Sequence, residues 1–210
     1  LLLVIGIFIY PDFGISLDED NTRINGFVTL KYICEIFYPE IVSKIEEIIN
    51  VPSMNDWKEQ GIGVVFDLPT AFIEFFFEIQ DSRNYYLMRH LINFFFFYFA
   101  IFFFYLLIRN RYDSMIMGLL GSTFLLISPR IFAHSFYNNK DIVFMSLFVI
   151  SIYAGTKLLK DYSIKNTLFF SISSALAIDI RVLGLIIPIT FFFVSFLNFF
   201  IFENKGKSKI

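Results

Sequence analysis

Three consecutive carboxylates, Asp18-Glu19-Asp20, follow closely on an apolar run, residues 1–10, that ends at Pro11. Acidic groups where a membrane helix surfaces can do two things. Asp20 or Asn21 can cap a helix starting at Thr22, because carboxylates are favoured where free backbone N–H groups meet the positive end of the helix dipole. Alternatively, they can act as a base and as ligands for a cation or a substrate at the membrane face. A second polar cluster reads Ser128-Pro129-Arg130-Ile131-Phe132-Ala133-His134-Ser135-Phe136-Tyr137-Asn138-Asn139-Lys140-Asp141. If a helix continues past Pro129, then Arg130, His134 and Tyr137 fall at i, i+4 and i+7 on one side. Such a face suits an anionic head group, since Arg can bind phosphate through two N–H groups at once; the plain alternative is a loop whose cations snorkel to lipid phosphates. Asp141 opens an apolar stretch, where it can cap a helix or meet Asp18 to Asp20 across a cavity. Asp179 and Arg181 end a later apolar run. Two residues apart they do not share a helix face, and Arg181 is read as directed at a lipid phosphate.

The elements that must hold these groups follow from composition. The 210 residues are 57% hydrophobic and only 17% charged, with 31 Phe. A soluble domain is nearer to about a quarter charged, so this is an integral membrane protein. Nothing in the charge distribution offers a basic surface to nucleic acid. Cys34 has no cysteine partner and reads as a small apolar filler. The chain opens in mid-run with no basic stretch before it, which reads as a fragment with a truncated first helix and not as a signal peptide.

Residues 1–10 are too few to cross the roughly 30 Å of hydrocarbon, which takes about 20 helical residues. Residues 11–90 carry 14 of the 19 acids and form a long outer loop. Within it, residues 22–38 and 40–49 are expected as amphipathic juxtamembrane helices. Residues 64–79 are placed at the interface, because Asp67, Glu74 and Glu78 make a crossing expensive. Five complete spans are expected at residues 91–108, 114–132, 142–159, 166–180 and 182–202, followed by a cytoplasmic tail at 203–210. The fold class is therefore an all-α, polytopic membrane protein of about six helices, the first truncated. Arg109, Arg111, Lys157, Lys160, Lys165, Lys205, Lys207 and Lys209 then share one side, which the positive-inside rule makes cytoplasmic. Asp18 to Asp20 and Ser128 to Asp141 share the other side.

Three features, in order, resemble a known family: an apolar helix followed by Asp18-Glu19; Tyr86-Leu87-Met88-Arg89-His90-Leu91 opening the next span; and Leu126-Ile127-Ser128-Pro129 with Tyr137 and Asp141 beyond it. The pattern is similar to the GT-C glycosyltransferases that use polyprenyl-phosphate sugars, the superfamily of protein O-mannosyltransferases and aminoarabinose transferases (glycosyltransferase family 39-like). Order and spacing carry the resemblance, and the extended Asn138-Asn139-Lys140 before Asp141 departs from it. The resemblance implies a GT-C-like fold and inverting transfer of a sugar from a polyprenyl-phosphate donor to a protein, lipid or glycan acceptor. The site would lie on the outer face of the cell membrane. Asp18, with Glu19, would supply the base that takes the acceptor proton. Arg130, His134, Tyr137, Lys140 and Arg181 would bind the donor and stabilise charge on the leaving phosphate. Asp20 and Asp141 would be the ligands if a divalent ion (Mg²⁺, Mn²⁺ or Zn²⁺) takes part. Asp18 and Asp20 also satisfy the Asp-x-Asp signature of nucleotide-sugar transferases, but those require a βαβ nucleotide domain that this sequence lacks. The rival reading is a multi-pass transporter of a lipid-linked or small anionic substrate. It would place charges near the midplane, often within repeats, whereas here the charges gather at one face. A membrane scaffold without catalysis would need no such gathering.

Overall fold

A computed structural model describes residues 1–59 and 61–207, with side chains described through residue 200; Lys209, part of the expected tail, lies outside the described residues. The described residues contain helices and turns and no strand. Three packed groups organise them.

The first group is an outer layer built by α2 (Glu19–Phe37), α3 (Pro39–Ile48) and α4 (Asp67–Phe76). Pro39 opens α3 where its missing N–H costs nothing, and Ile45 on the inner face of α3 is fully buried beside Phe27, Val28, Leu30, Cys34 and Ala71. Cys34 is thus a buried filler, and burial pushes its thiol pKa up. Helix α2 starts three residues before the Thr22 expected from capping logic. Asp18 holds the N-cap position but makes no side-chain capping bond, so its carboxylate is left free. Gly26 lets α2 and α4 touch, since a Cβ there would fall 2.3 Å from the Asp67 carbonyl oxygen.

The second group is the bundle. Helix α5 (Ser82–Tyr112) is 31 residues long, far beyond the expected 91–108. It starts where Asp81 accepts a hydrogen bond from the Asn84 N–H, and ends at Asp113 in the left-handed region (φ 48), with Arg109 and Arg111 in the last turn. Cations there complement the negative end of the dipole. Its first turns are polar because they are buried against the outer layer and not in lipid. Helices α8 (Asp141–Lys160) and α9 (Ile164–Ile180) pack against it around Val143, Leu147, Ala154, Leu158, Phe170 and Ala177. After a 3₁₀ turn at Val182–Leu185, α10 (Ile186–Lys207) completes the set. Its exposed Phe192, Phe193, Phe196 and Phe199 present the apolar surface that lipid requires.

The third group joins the chain's start to its middle. Helix α1 (Leu2–Ile9) packs beside α5, and Phe13 stacks on Phe136 at 4.2 Å between centroids, with Phe94 stacked on the same ring at 5.1 Å. Phe136 belongs to α7 (Pro129–Tyr137), which follows α6 (Met115–Leu126). One continuous span was expected over residues 114–132, but α6 and α7 bend by 69° at the break before Pro129. Proline has no N–H to donate, clashes with the preceding turn, and pushes Ser128 into extended backbone (ψ 108).

Three segments are long and apolar enough to cross a membrane: Ser82–Tyr112, Asp141–Lys160 and Val182–Phe200. The bent α6–α7 pair makes a fourth if counted as one span. Six were expected; α1 and α9, at 8 and 17 residues, are helical as expected but short of a full crossing by length. The starts of α5 and α8 lie together, with Phe94 against Ile142, and so do their ends, where Arg111 and Lys160 line one cavity of about 380 Å³. Helices α5 and α8 therefore run parallel, and the basic ends collect opposite the acidic loops, as the charge pattern required.

Candidate functional site

At the acidic end, three distant stretches enclose a cavity of about 190 Å³. Ser16 and Asp18 come from the loop after α1, His134 and Tyr137 from the end of α7, Asn138 through Asp141 from the α7–α8 turn, and Arg181 from the end of α9. The stacking of Phe13 on Phe136 holds the first two stretches together, and the Ser16 hydroxyl reaches the Tyr137 carbonyl at 3.5 Å. A larger cavity of about 740 Å³ lies between α2, α3 and α4, lined by Leu30, Ile33, Tyr38, Ile41 and Phe72. Its walls are apolar, with the Cys34 thiol and the Tyr38 hydroxyl as their titratable groups and no carboxylate or cation among them, so size is a poor guide here.

Of the residues expected to act, the cavity gathers Asp18, His134, Tyr137, Lys140, Asp141 and Arg181. Asp141 is ion-paired to Arg181 and receives a hydrogen bond from the Asn138 amide at 3.0 Å. Arg181 is therefore held by a carboxylate of this chain, where a lipid phosphate was the expected partner. Asp179 is likewise engaged within the chain, accepting from the backbone N–H groups of Val64 and Val65 at 2.8 and 2.9 Å. Gly63 allows that approach, because a Cβ there would overlap the Asp179 carbonyl.

Three expected residues stand elsewhere. Arg130 is exposed and does not line the cavity; on α7 it lies seven residues before Tyr137, roughly 10 Å along the axis at 1.5 Å per residue. Asp20 faces Tyr86, whose hydroxyl donates to it at 3.4 Å. Glu19 is 1% exposed beneath the cavity. One of its oxygens accepts the Ser16 N–H at 2.7 Å, and the other lies 2.9 Å from His90 Nε2. That second contact is a close approach without hydrogen-bond geometry. Glu19 thus shapes the loop that presents Asp18, with no access of its own to the cavity.

A buried polar layer that sequence reading missed lies behind this wall. Arg89, 1% exposed, donates to Thr70 at 2.6 Å, to Thr22 at 2.9 Å and to Asp67 at 3.3 Å. Asn139 donates to the same Thr22 hydroxyl at 2.8 Å, and Asn25 to Asp67 at 3.0 Å. Burial raises the Asp67 pKa, and the positive charge of Arg89 and the Asn25 hydrogen bond work against that rise. Arg23 pairs with Glu74, two of its bonds measuring 3.0 and 3.1 Å. Burial lowers the Arg23 pKa, but the hydrogen bond and charge of Glu74 outweigh it and the net direction is up. Asp67 and Glu74 were read only as costs of membrane entry. The available signal was Arg89-His90 at the head of an apolar span, since ionisable groups at that depth require partners.

The two carboxylates expected as ligands of a divalent ion, Asp20 and Asp141, are not brought together. Asp141 lines the cavity engaged with Arg181 and Asn138, whereas Asp20 is turned to Tyr86 outside it. Among the described residues, no three His, Cys, Asp or Glu side chains converge as a metal site.

Membrane-length helices with a cavity of carboxylates and cations at one end define a polytopic membrane protein with a candidate active site at its surface. The family profile described as dolichyl-phosphate-mannose-protein mannosyltransferase matches residues 68–210, more than half of the chain, and the chain belongs to that family. It is a family of membrane glycosyltransferases that use polyprenyl-phosphate sugar donors, and the match covers every cavity residue except Ser16 and Asp18. No curated protein and no solved structure gives a significant match.

Proposed function

We propose that the cavity is where a sugar passes, with inversion, from a polyprenyl-phosphate donor to a protein, lipid or glycan acceptor at the outer face of the cell membrane. The observation that carries this reading is the meeting of Asp18, a carboxylate with no capping bond, with His134, Lys140 and Arg181 in one cavity. Inverting transfer needs a base on the acceptor side and positive or hydrogen-bonding groups where the leaving phosphate gathers charge. Asp18 would take the acceptor proton. His134 and Lys140 would face the phosphate, and Tyr137 would line the sugar's approach. Arg181, neutralised by Asp141, would act mainly by holding the turn in place. The gathering of charges at one end also favours this reading over a transporter, which needs them along a path through the bilayer.

The test replaces Asp18 with Asn in membranes containing the whole protein and follows sugar transfer from a labelled polyprenyl-phosphate sugar. Asp18→Asn retains size and polarity but loses basicity, so transfer should fall on the order of 10² to 10⁴-fold, while donor binding and the amount of folded protein stay at parent level. Transfer at the parent rate would remove Asp18 as the base.

A further inference from the structure

The turn Asn138-Asn139-Lys140 contains an amide whose orientation is dictated by its neighbours. We propose that Asn138 is a positioning residue that fixes the His134 imidazole with its proton on Nε2, making that ring a hydrogen-bond donor in the cavity. An asparagine amide has an oxygen that only accepts and an NH₂ that only donates. The backbone N–H of Asp141 can only donate, and it lies 2.9 Å from Asn138 Oδ1, which settles which end of the amide is the oxygen. The NH₂ is then turned to the Asp141 carboxylate at 3.0 Å and to His134 Nδ1 at 2.8 Å, one proton for each. Reversing the amide would set NH₂ against N–H and carbonyl oxygen against carboxylate, and would lose both bonds to Asp141.

His134 Nδ1 must therefore accept. A neutral imidazole that accepts at one nitrogen carries its proton on the other, and the hydrogen bond at the first nitrogen sets the tautomer. The ring lies 5.3 Å from that of Tyr137 between centroids, and the backbone that carries it is held where the His134 carbonyl accepts from buried Asn93 at 3.3 Å. Asp141 is anchored in turn by Arg181, so the tautomer of His134 is set by a chain of contacts that starts at the end of α9. His134 lines the cavity, and Nε2 has no protein partner among the described residues. The ligand chemistry that fits is an anionic oxygen, here one on the leaving phosphate. That use rests on the transferase reading, whereas the tautomer stands on geometry alone.

The chain contains two histidines, His90 and His134, so ¹⁵N-histidine labelling of the whole protein in nanodiscs gives two imidazoles, separated by their loss in His134→Gln. Nε2 couples to both ring C–H protons and Nδ1 strongly to one, which distinguishes the nitrogens. The expected result is a protonated Nε2 and an unprotonated Nδ1 for His134; a protonated Nδ1 overturns the proposal whether or not the protein transfers sugar. Asn138→Asp replaces the donor with an acceptor, and should move the proton to Nδ1 while lowering transfer on the order of 10²-fold. An unchanged tautomer in Asn138→Asp would mean that Asn138 does not set it. Added farnesyl monophosphate should shift the His134 Nε2 signal and leave that of His90 in place. No shift at His134 would overturn the donor role in the cavity and leave Asp18, tested separately, untouched.

Discussion

Lys140 and Arg130 carry the same charge on the same connection, and their positions separate them. Lys140 lines the cavity beside Asp18, while Arg130 lies on an exposed part of α7 outside it. A cation stabilises a leaving phosphate only if it is near where charge develops, in a site from which water is partly excluded. Lys140→Met should therefore lower the turnover number on the order of 10²-fold at saturating donor, and Arg130→Ala should leave it within a few-fold of the parent. If Arg130→Ala is the more damaging in steady-state kinetics, the donor phosphate sits on α7 and not in the cavity. The opening carboxylates separate by the same logic. Neighbours in sequence, Asp18 and Glu19 differ in burial, and only Asp18 reaches the cavity.

Arg23 and Glu74 rivet α2 to α4 across 51 residues of sequence. Glu74 is fully buried and Arg23 nearly so, with the guanidinium also lying 3.8 Å above the Tyr85 ring of α5. Removing one member of a buried pair leaves the other charge unpaired, at a cost of about 3–5 kcal/mol, whereas replacing both by apolar groups of similar volume is often neutral. Glu74→Ala should accordingly destabilise the outer layer by about 3–5 kcal/mol, and Arg23→Met with Glu74→Leu should restore most of it. The single tryptophan, Trp57, reports this layer because its indole N–H donates to Asn25 at 3.1 Å. Denaturant unfolding followed by Trp57 fluorescence measures the difference; equal midpoints for Glu74→Ala and the parent would mean that the pair contributes nothing to the layer.

At the scale of the whole molecule, the parallel run of α5 and α8 puts the Asp18 cavity at one end and Arg109, Arg111, Lys157 and Lys160 at the other. Lys and Arg in short connections collect on the cytoplasmic side, so the cavity should face outward. In a Cys34→Ala background, an impermeant thiol reagent should label cysteines placed at the exposed positions Leu17 and Arg130 in intact cells. Cysteines at exposed Asn110 and Tyr162 should react only after permeabilisation. Labelling of all four from outside would contradict a membrane between the two ends. The reverse pattern would turn the cavity to the cytoplasm and change which donors and acceptors can reach it.

Local order was legible in the sequence because it depends on local spacing. Apolar runs at residues 91–108, 142–159 and 166–180 gave helices, although α5 begins nine residues earlier at Ser82; Pro39 opened one, and lysines and arginines marked one end of the bundle. Carboxylates and cations at the opposite end, together with the ordered Asp18-Glu19, Arg89 and Ser128-Pro129 motifs, pointed to the family now matched over residues 68–210. The choice of partner was not legible. Sequence spacing shows only neighbours three or four residues apart on a helix, whereas Arg181 meets Asp141 across 40 residues, Arg89 meets Asp67 across 22 and Asn139 meets Thr22 across 117. Arg130 and His134 lie one turn apart on the helix after the bend, and only His134 lines the cavity. Asn138 and Asn139, read in the sequence only as an extension before Asp141, became joints of the site only when folding brought the loop of α1, the α7–α8 turn and the end of α9 within hydrogen-bond distance of one another.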